Sequence, residues 1–153
     1  MCNYAKTALS CYNAITPLIN SIESVIKKKV KNSARNYSSC EKLADEIAKL
    51  IQVRLYLFDL KSLIDEALNK LKPYDITLIK YKYFNVTPNG EFDHTSRNYF
   101  RKQVKALENF TLNFQNLGVS EEWFTEKYLT IPFILNVHKK ILKTEGKKLC
   151  KVE

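Results

Sequence analysis

Six residues near the middle of the chain combine the side-chain types that proteins use to contact nucleic acids. They are Ser96, Arg97, Asn98, Arg101, Lys102 and Lys105. Arginine and asparagine hydrogen-bond to base edges, whereas lysine supplies a positive charge to phosphates. No aspartate or glutamate occurs between Asp93 and Glu108 to neutralise these charges. Such a pattern is typical of a DNA-contacting surface and also of an ordinary solvated face.

The charge of the whole chain favours the same class of partner. The 153 residues carry a formal net charge of +9, and the sequence pI is near 9.3. A surface of this kind attracts polyanions, nucleic acid first, without reference to base sequence. Because many small proteins are basic, charge alone is compatible with other functions.

Residues for catalysis or metal binding are widely separated along the chain. The four cysteines, Cys2, Cys11, Cys40 and Cys150, form no CxxC pair, and the two histidines are His94 and His138. A tetrahedral metal site therefore lacks a local cluster of ligands. No glycine-rich nucleotide motif, Walker motif or HExxH motif occurs. We expect no enzyme activity, no metal and no cofactor.

The same features predict the compartment. A chain of this size with a helical core does not need disulfides, so we expect reduced thiols and a cytoplasmic protein. No apolar run has the length of a signal peptide or a membrane span, and we expect no membrane contact.

Residues 95–118 predict the helix that carries the six polar side chains. Thr95 or Ser96 is suited to cap its first turn, and Gly118 is suited to end it. Apolar residues recur at three- and four-residue steps, which places them on one helical face. This face consists of Phe100, Val104, Leu107, Phe110, Phe114 and Leu117. We expect it to be buried along the whole helix, with the basic side chains exposed.

Residues 1–71 predict two long helices. The apolar seam of the first is Tyr4, Ala8, Cys11, Ile15, Leu18, Ile22 and Val25. Pro17 either starts a new helix or kinks a single one, and the constant phase of the seam favours the kink. The second helix runs from a capping box at Ser38 to about Leu71, with the seam Leu43, Ile47, Leu50, Leu57, Leu60, Ile64, Leu68 and Leu71. The short polar connection predicts an antiparallel hairpin.

Residues 72–145 predict a smaller cluster of helices. The first runs from Pro73 to about Phe84, and the turn signals Pro88 and Gly90 follow it. After the helix at 95–118, Ser120 begins a short helix and Pro132 begins the last one, through about Lys143. We expect residues 146–153 to form a frayed tail. The scarcity of breakers, 3 Gly and 4 Pro, predicts one all-α domain over residues 1–153.

Aromatic residues and lysines alternate at the end of the helix that starts at Pro73. Tyr81, Tyr83 and Phe84 lie beside Lys80 and Lys82. They are compatible with stacking on single-stranded nucleic acid, but alternation on a helix favours aromatics in the core and extended lysines.

Two segments resemble the DNA-binding region four of sigma factors and related phage regulators. They are LNKLKPYDITLIKYKYF, residues 68–84, and SRNYFRKQVKAL, residues 96–107. In that family a helix that begins near a proline ends in an aromatic pair. A middle helix follows, for which residues 85–95 are the stretch here, and a recognition helix then opens with serine and carries basic residues. The resemblance implies that Ser96, Arg97, Asn98, Arg101 and Lys102 face the DNA groove.

Two functions follow as hypotheses. The leading one is a non-enzymatic DNA-binding transcription regulator, bacterial or phage in type, whose hairpin serves as scaffold or homodimer surface. The alternative is a helical structural or interaction protein whose long seams bind partner helices, without a role in nucleic-acid binding.

Overall fold

A computed structural model describes residues 3–33, 40–88 and 95–149. Within these ranges it has six α-helices and no strand. The helices are α1 (Asn3–Ser33), α2 (Cys40–Asn69), α3 (Pro73–Tyr83), α4 (Arg97–Asn116), α5 (Glu121–Tyr128) and α6 (Pro132–Leu149). The predicted all-α class is confirmed.

Helices α1 and α2 form the predicted antiparallel hairpin. Three side-chain contacts show the opposite directions of the helices, because partners late in α1 pair with residues early in α2. Lys29 binds Glu46 at 2.9 Å, and Glu23 lies 3.7 Å from Arg54. Nearer the other end, the Tyr12 hydroxyl donates to Asp65 at 2.5 Å.

Pro17 lies inside α1, which continues through it without a break. The alternative of two helices separated at Thr16 and Pro17 is therefore wrong. Proline lacks the N–H that would bond to the carbonyl four residues earlier, so α1 forgoes one backbone hydrogen bond there. Ser38, the predicted cap of α2, lies outside the described residues.

The core occupies one end of the hairpin and the helices packed around it. Buried residues in α1 stop at Ile19, and buried residues in α2 begin at Leu57. Around them lie the fully buried rings of Phe110, Phe114 and Tyr128. The remaining aromatic and aliphatic core residues of the C-terminal helices include Leu78, Ile79, Phe124, Ile131 and Ile134.

Beyond the core the hairpin continues as a two-helix extension, which we call the distal arm, residues 23–33 and 40–52. None of these residues is buried, and none packs against the core. Their seam residues Leu43, Ile47 and Leu50 are half-buried between the two helices. Val25, predicted to lie inside the seam, is 41% exposed. Two helices alone cover only one side of each other, so the seam lacks a second layer.

Helix α6 is longer than the sequence predicts. It continues past Lys143 to Leu149, so the first four of the residues predicted as a frayed tail are helical, and residues 150–153 lie outside the description. Gly146 does not interrupt it, because a single glycine in a helix costs only about 1 kcal/mol relative to alanine. The extra turns are tied to α1 by the ion pair of Lys6 with Glu145 at 2.6 Å.

Candidate nucleic-acid interface

Helix α4 carries the predicted interface, and its two ends are defined as expected. The Ser96 Oγ atom accepts a hydrogen bond from the backbone N–H of Tyr99 at 3.1 Å, so Ser96 is the cap. At the other end Gly118 has a φ of 91°. Its N–H bonds to the Gln115 carbonyl and that of Val119 to the Phe114 carbonyl, the pattern of a Schellman turn. Ser96 thus serves the helix itself.

The buried face of α4 differs from the predicted one in the first half of the helix. Phe100 and Val104 are 59% and 58% exposed, so the prediction that they are buried is wrong. Leu107 and Leu117 are half-buried, while Phe110 and Phe114 lie in the core as expected. The buried positions are Gln103, Ala106, Phe110, Thr111 and Phe114.

A hydrogen bond to α3 explains why α4 is rotated about its axis relative to the prediction. The Gln103 side chain donates to the Leu78 carbonyl at 2.7 Å and to the Tyr99 hydroxyl at 3.0 Å. A buried amide is tolerated because its donors are satisfied. The helix therefore turns the polar Gln103 side chain toward α3, and the bulkier Phe100 and Val104 lie outside the core.

The predicted basic residues of α4 are all exposed. Arg97, Arg101 and Lys105 follow one another at four-residue steps, so they lie on one face, about 6 Å apart along the helix axis. Lys105 lies 3.9 Å from Glu108, in a pair that is open to solvent. The structure thus brings three of the predicted cations together in a row, which we call the basic row.

The other predicted site residues lie beside the row. Asn98 is exposed in the first turn of α4. Lys102 extends toward α3, where its Nζ atom lies 5.0 Å from the centre of the Tyr74 ring. No acidic residue occurs in the first turn of α4. The positive end of the helix dipole therefore adds to the charge of Arg97.

Helices α3 and α4 pack as a second antiparallel pair. Asp75 accepts a hydrogen bond from Asn109 at 3.0 Å, and the ring of Tyr81 meets that of Tyr99 edge-on at 6.1 Å. Residues 85–88 are not helical, and residues 89–94 lie outside the described part of the chain. The middle helix implied by the sigma-factor resemblance falls mostly on those residues.

A second basic element was missed in the sequence. Helix α6 carries five lysines in its second half, Lys139, Lys140, Lys143, Lys147 and Lys148. A helix that continues from Pro132 past Lys143 would have been the signal, because it places Lys148 at a cleft that α4 also lines. The prediction ends this helix at about Lys143 and treats residues 146–153 as a frayed tail, so Lys147 and Lys148 lie outside it.

Cys11, Thr7 and His138 are of residue types that carry out catalysis in other proteins. Here Cys11 is buried in the core, and Thr7 and His138 contact each other between two helices. Burial raises the pKa of the Cys11 thiol to about 12, which keeps it protonated and weakly nucleophilic. Thr7 Oγ1 donates to the Asn3 carbonyl and contacts His138 Nδ1, both at 2.8 Å, so it links α1 to α6. Among residues 3–33, 40–88 and 95–149, no three His, Cys, Asp or Glu side chains are placed to hold a metal ion.

None of the helices in the described ranges has both the length and the apolar character needed to cross a bilayer.

Comparison of the chain with protein-family models, with curated proteins and with solved structures found no match.

Proposed function

We propose that the protein is a non-enzymatic DNA-binding transcription regulator and that the first half of α4 contacts duplex DNA. The observation that carries this proposal is the basic row. Three exposed cations stand on one helical face, and the first of them, Arg97, lies at the end of the helix where the dipole is positive. The resemblance to sigma-factor region four, from the same residues, adds to it.

The positions of these residues along α4 suggest that some contact bases and others contact phosphates. Arg97 and Asn98 lie in the first turn, the part of a recognition helix that reaches base edges in the major groove. Lys105 lies two turns further on and is suited to a phosphate. The free thiols of Cys11 and Cys40 are compatible with the reducing cytoplasm in which we place this activity.

A mobility-shift titration at two salt concentrations tests the proposal. In one variant Arg97, Arg101, Lys102 and Lys105 are all replaced by Gln. Each lost phosphate contact flattens the plot of log affinity against log salt by about 0.9. Thermal stability should stay close to that of the wild type, because exposed charges contribute little to folding.

A matched control removes the same number of charges from the distal arm. Lys27, Lys28, Lys31 and Lys49 are also exposed, and Gln at these four positions lowers the net charge equally. We expect the arm variant to retain most of the affinity and the salt slope. Equal losses in the two variants would mean that only net charge matters. A wild type without salt-sensitive affinity for any duplex would refute DNA binding.

Single substitutions assign the roles within the row. Arg97→Ala should reduce the discrimination between cognate and other sequences, by roughly 1–3 kcal/mol for a bidentate base contact. Lys105→Ala should weaken binding to all duplexes alike. The reverse outcome would place base reading at the other end of the helix.

The distal arm favours a second function, that of a helical interaction module. Its two helices leave Val25 and Val30 41% and 53% exposed. A helix of a second copy or of another protein can cover these residues. Light scattering over a concentration series tests self-association, and Val25→Lys with Val30→Lys should abolish any dimer formed through the arm. An unchanged dimer would exclude this surface.

A further inference from the structure

A cleft of about 290 Å³ lies between the first half of α4 and the last turns of α6. Phe100, Val104 and Leu107 supply its apolar lining, and Lys82 and Lys148 also line it. The three apolar residues follow a spacing of four and three. That is the spacing with which one helix presents a stripe to another.

A second cleft of about 280 Å³ continues this surface along α6. It shares Lys82 and Lys148 with the first cleft and adds Val137 and Ile141 as apolar lining. The stripe on α4 extends over about 10 Å, and the lining residues of α6 extend over about 16 Å. We call the two clefts together the α4–α6 groove. Its length suits a helix of two to three turns.

The groove has an excess of positive charge. Its acidic residues, Glu145 and Glu108, already face lysines, since Glu145 binds Lys6 at 2.6 Å and Glu108 lies 3.9 Å from Lys105. Within the part of the chain that the structure describes, Lys82 and Lys148 have no ion-pair partner.

The surroundings of Lys82 agree with this excess. Much of its residue surface is exposed, yet desolvation of its ammonium group lowers its pKa. The charges of Lys6 and Lys148 lower the pKa further, and the charge of Glu145 offsets them only in part. Anionic groups placed in the groove relieve this repulsion.

We propose that the α4–α6 groove binds an acidic amphipathic helix of a partner protein. The apolar side of that helix packs on Phe100, Val104 and Ile141, and its carboxylates pair with Lys82 and Lys148. Helices bind to grooves in this way through apolar residues at i, i+3 or i+4, and i+7. The site is separate from the basic row, whose residues do not line the groove.

Other occupants fit less well. A single-stranded nucleic acid needs successive aromatic rings for its bases, and Phe100 is followed along the stripe by Val104 and Leu107. A second copy of the chain brings the same net charge of +9, so its approach to a basic groove is opposed by repulsion.

Fluorescence anisotropy with a designed peptide tests the proposal. The probe is a labelled helix of about 14 residues, roughly four turns, with Leu on one face and Glu on the others. A scrambled peptide of the same composition keeps the charge and loses the apolar face. We expect the amphipathic peptide to bind at least about tenfold more tightly than the scrambled one. Equal binding, or no binding of either peptide, would overturn the proposal.

Two pairs of variants locate the peptide. Phe100→Gln with Val104→Gln should weaken binding about tenfold, whereas Leu112→Gln, at an equally exposed position outside the groove, should not. Charge reversal at Lys82 and Lys148 should weaken binding by a similar factor. The same reversal at Lys139 and Lys143, which are exposed outside the groove on α6, should have a smaller effect. Equal effects of variants and controls would contradict the assignment.

A labelled oligothymidylate provides the last comparison. Should it bind with the sensitivity to Phe100 and Lys82 expected of the peptide, the groove is a nucleic-acid site and the proposal fails. Failure of DNA binding by the basic row leaves the peptide result unaffected, because the two variant sets share no residue.

Discussion

Side-chain amides join the helices of the core at single residues. Asn113 of α4 donates to the carbonyl of Ala67 at 3.1 Å, and Asn13 of α1 donates to that of Phe84 at the same distance. Ala67 lies in the last turn of α2, and Phe84 is the C-cap of α3, where carbonyls lack partners within the helix. These amides therefore satisfy helix ends that the core would otherwise leave unbonded.

Phe110 and Leu107 both belong to the apolar pattern of α4, but they differ in burial. Phe110 is fully buried and meets Phe114 edge-on at 5.1 Å, whereas Leu107 is half-buried. Phe110→Ala should lower the free energy of unfolding by about 3–5 kcal/mol. Leu107→Ala should lower it by roughly 1–2 kcal/mol, because less apolar area is lost from the core. Urea denaturation measures both.

The exposed Leu112 is the control for this pair, and Leu112→Ala should change the unfolding free energy little. A cost for Leu107→Ala as large as that for Phe110→Ala would show that the α4–α6 groove is closed in solution.

The ion pair of Lys6 with Glu145 makes stability depend on pH. The hydrogen bond from Lys6 is the largest cause that lowers the Glu145 pKa. A carboxylate with a lowered folded pKa stabilises the protein above its unfolded value, and this stability is lost as pH falls through the folded pKa. Glu145→Gln should therefore cost about 1 kcal/mol at neutral pH, because the pair is partly solvated, and progressively less as the pH falls through the lowered pKa of Glu145.

Denaturation of the wild type and Glu145→Gln across this pH range gives the comparison. Glu126→Gln, at an exposed glutamate without an ion pair in the described chain, should behave like the wild type throughout. A stability difference that persists in acid would show that Glu145 acts through packing.

At the scale of the elements, local signals predicted where helices begin and end. Ser96 and Ser120 cap α4 and α5 because a serine hydroxyl accepts from the first backbone N–H groups. Gly118 ends α4 because it adopts a positive φ without steric cost. These interactions involve neighbours in sequence, so they can be read without knowledge of the fold.

The orientation of α4 depends on distant residues and could not be read in this way. Phe100 and Val104 continue the apolar periodicity of Phe110 and Phe114, and periodicity ranks such residues above Gln103 and Ala106. Gln103 can be buried because its side-chain amide donates a hydrogen bond to the carbonyl of Leu78, on another helix. The basic row was predictable because its residues are exposed either way, whereas the α4–α6 groove exists only through the rotation.

Pro17 provides a test of helix α1. An interior proline costs a helix about 3 kcal/mol relative to alanine, and Pro17 is exposed, so no core contact compensates for this cost. Pro17→Ala restores the hydrogen bond to the Asn13 carbonyl. It should raise the free energy of unfolding by roughly 1–3 kcal/mol, measured by thermal unfolding.

Thr16→Ala, at the exposed neighbouring position, should change stability only by the small difference in helix propensity. A destabilised Pro17→Ala protein would mean that α1 needs a bend at this residue to reach both the core and the arm.

At the scale of the whole molecule, the distal arm makes the protein elongated. A 31-residue helix spans about 46 Å. A compact globule of 153 residues has a radius of gyration of about 15 Å. Small-angle X-ray scattering of the monomer should give a larger value and a pair-distance distribution with a long tail. A radius near 15 Å without a tail would mean that the arm folds back onto the core.

A small rotation of the distal arm about its base produces a larger displacement at its tip. Its α1 segment, residues 23–33, extends about 16 Å past the last residue that packs on the core. A turn of about 10° at the base therefore moves the tip by roughly 3 Å, while the core side chains at the pivot shift by far less. Glu23 and Arg54 form an ion pair at this pivot, 3.7 Å apart. Small changes in packing near Ile19 and Leu57 thus become displacements at the tip large enough to be measured between two attached spectroscopic labels.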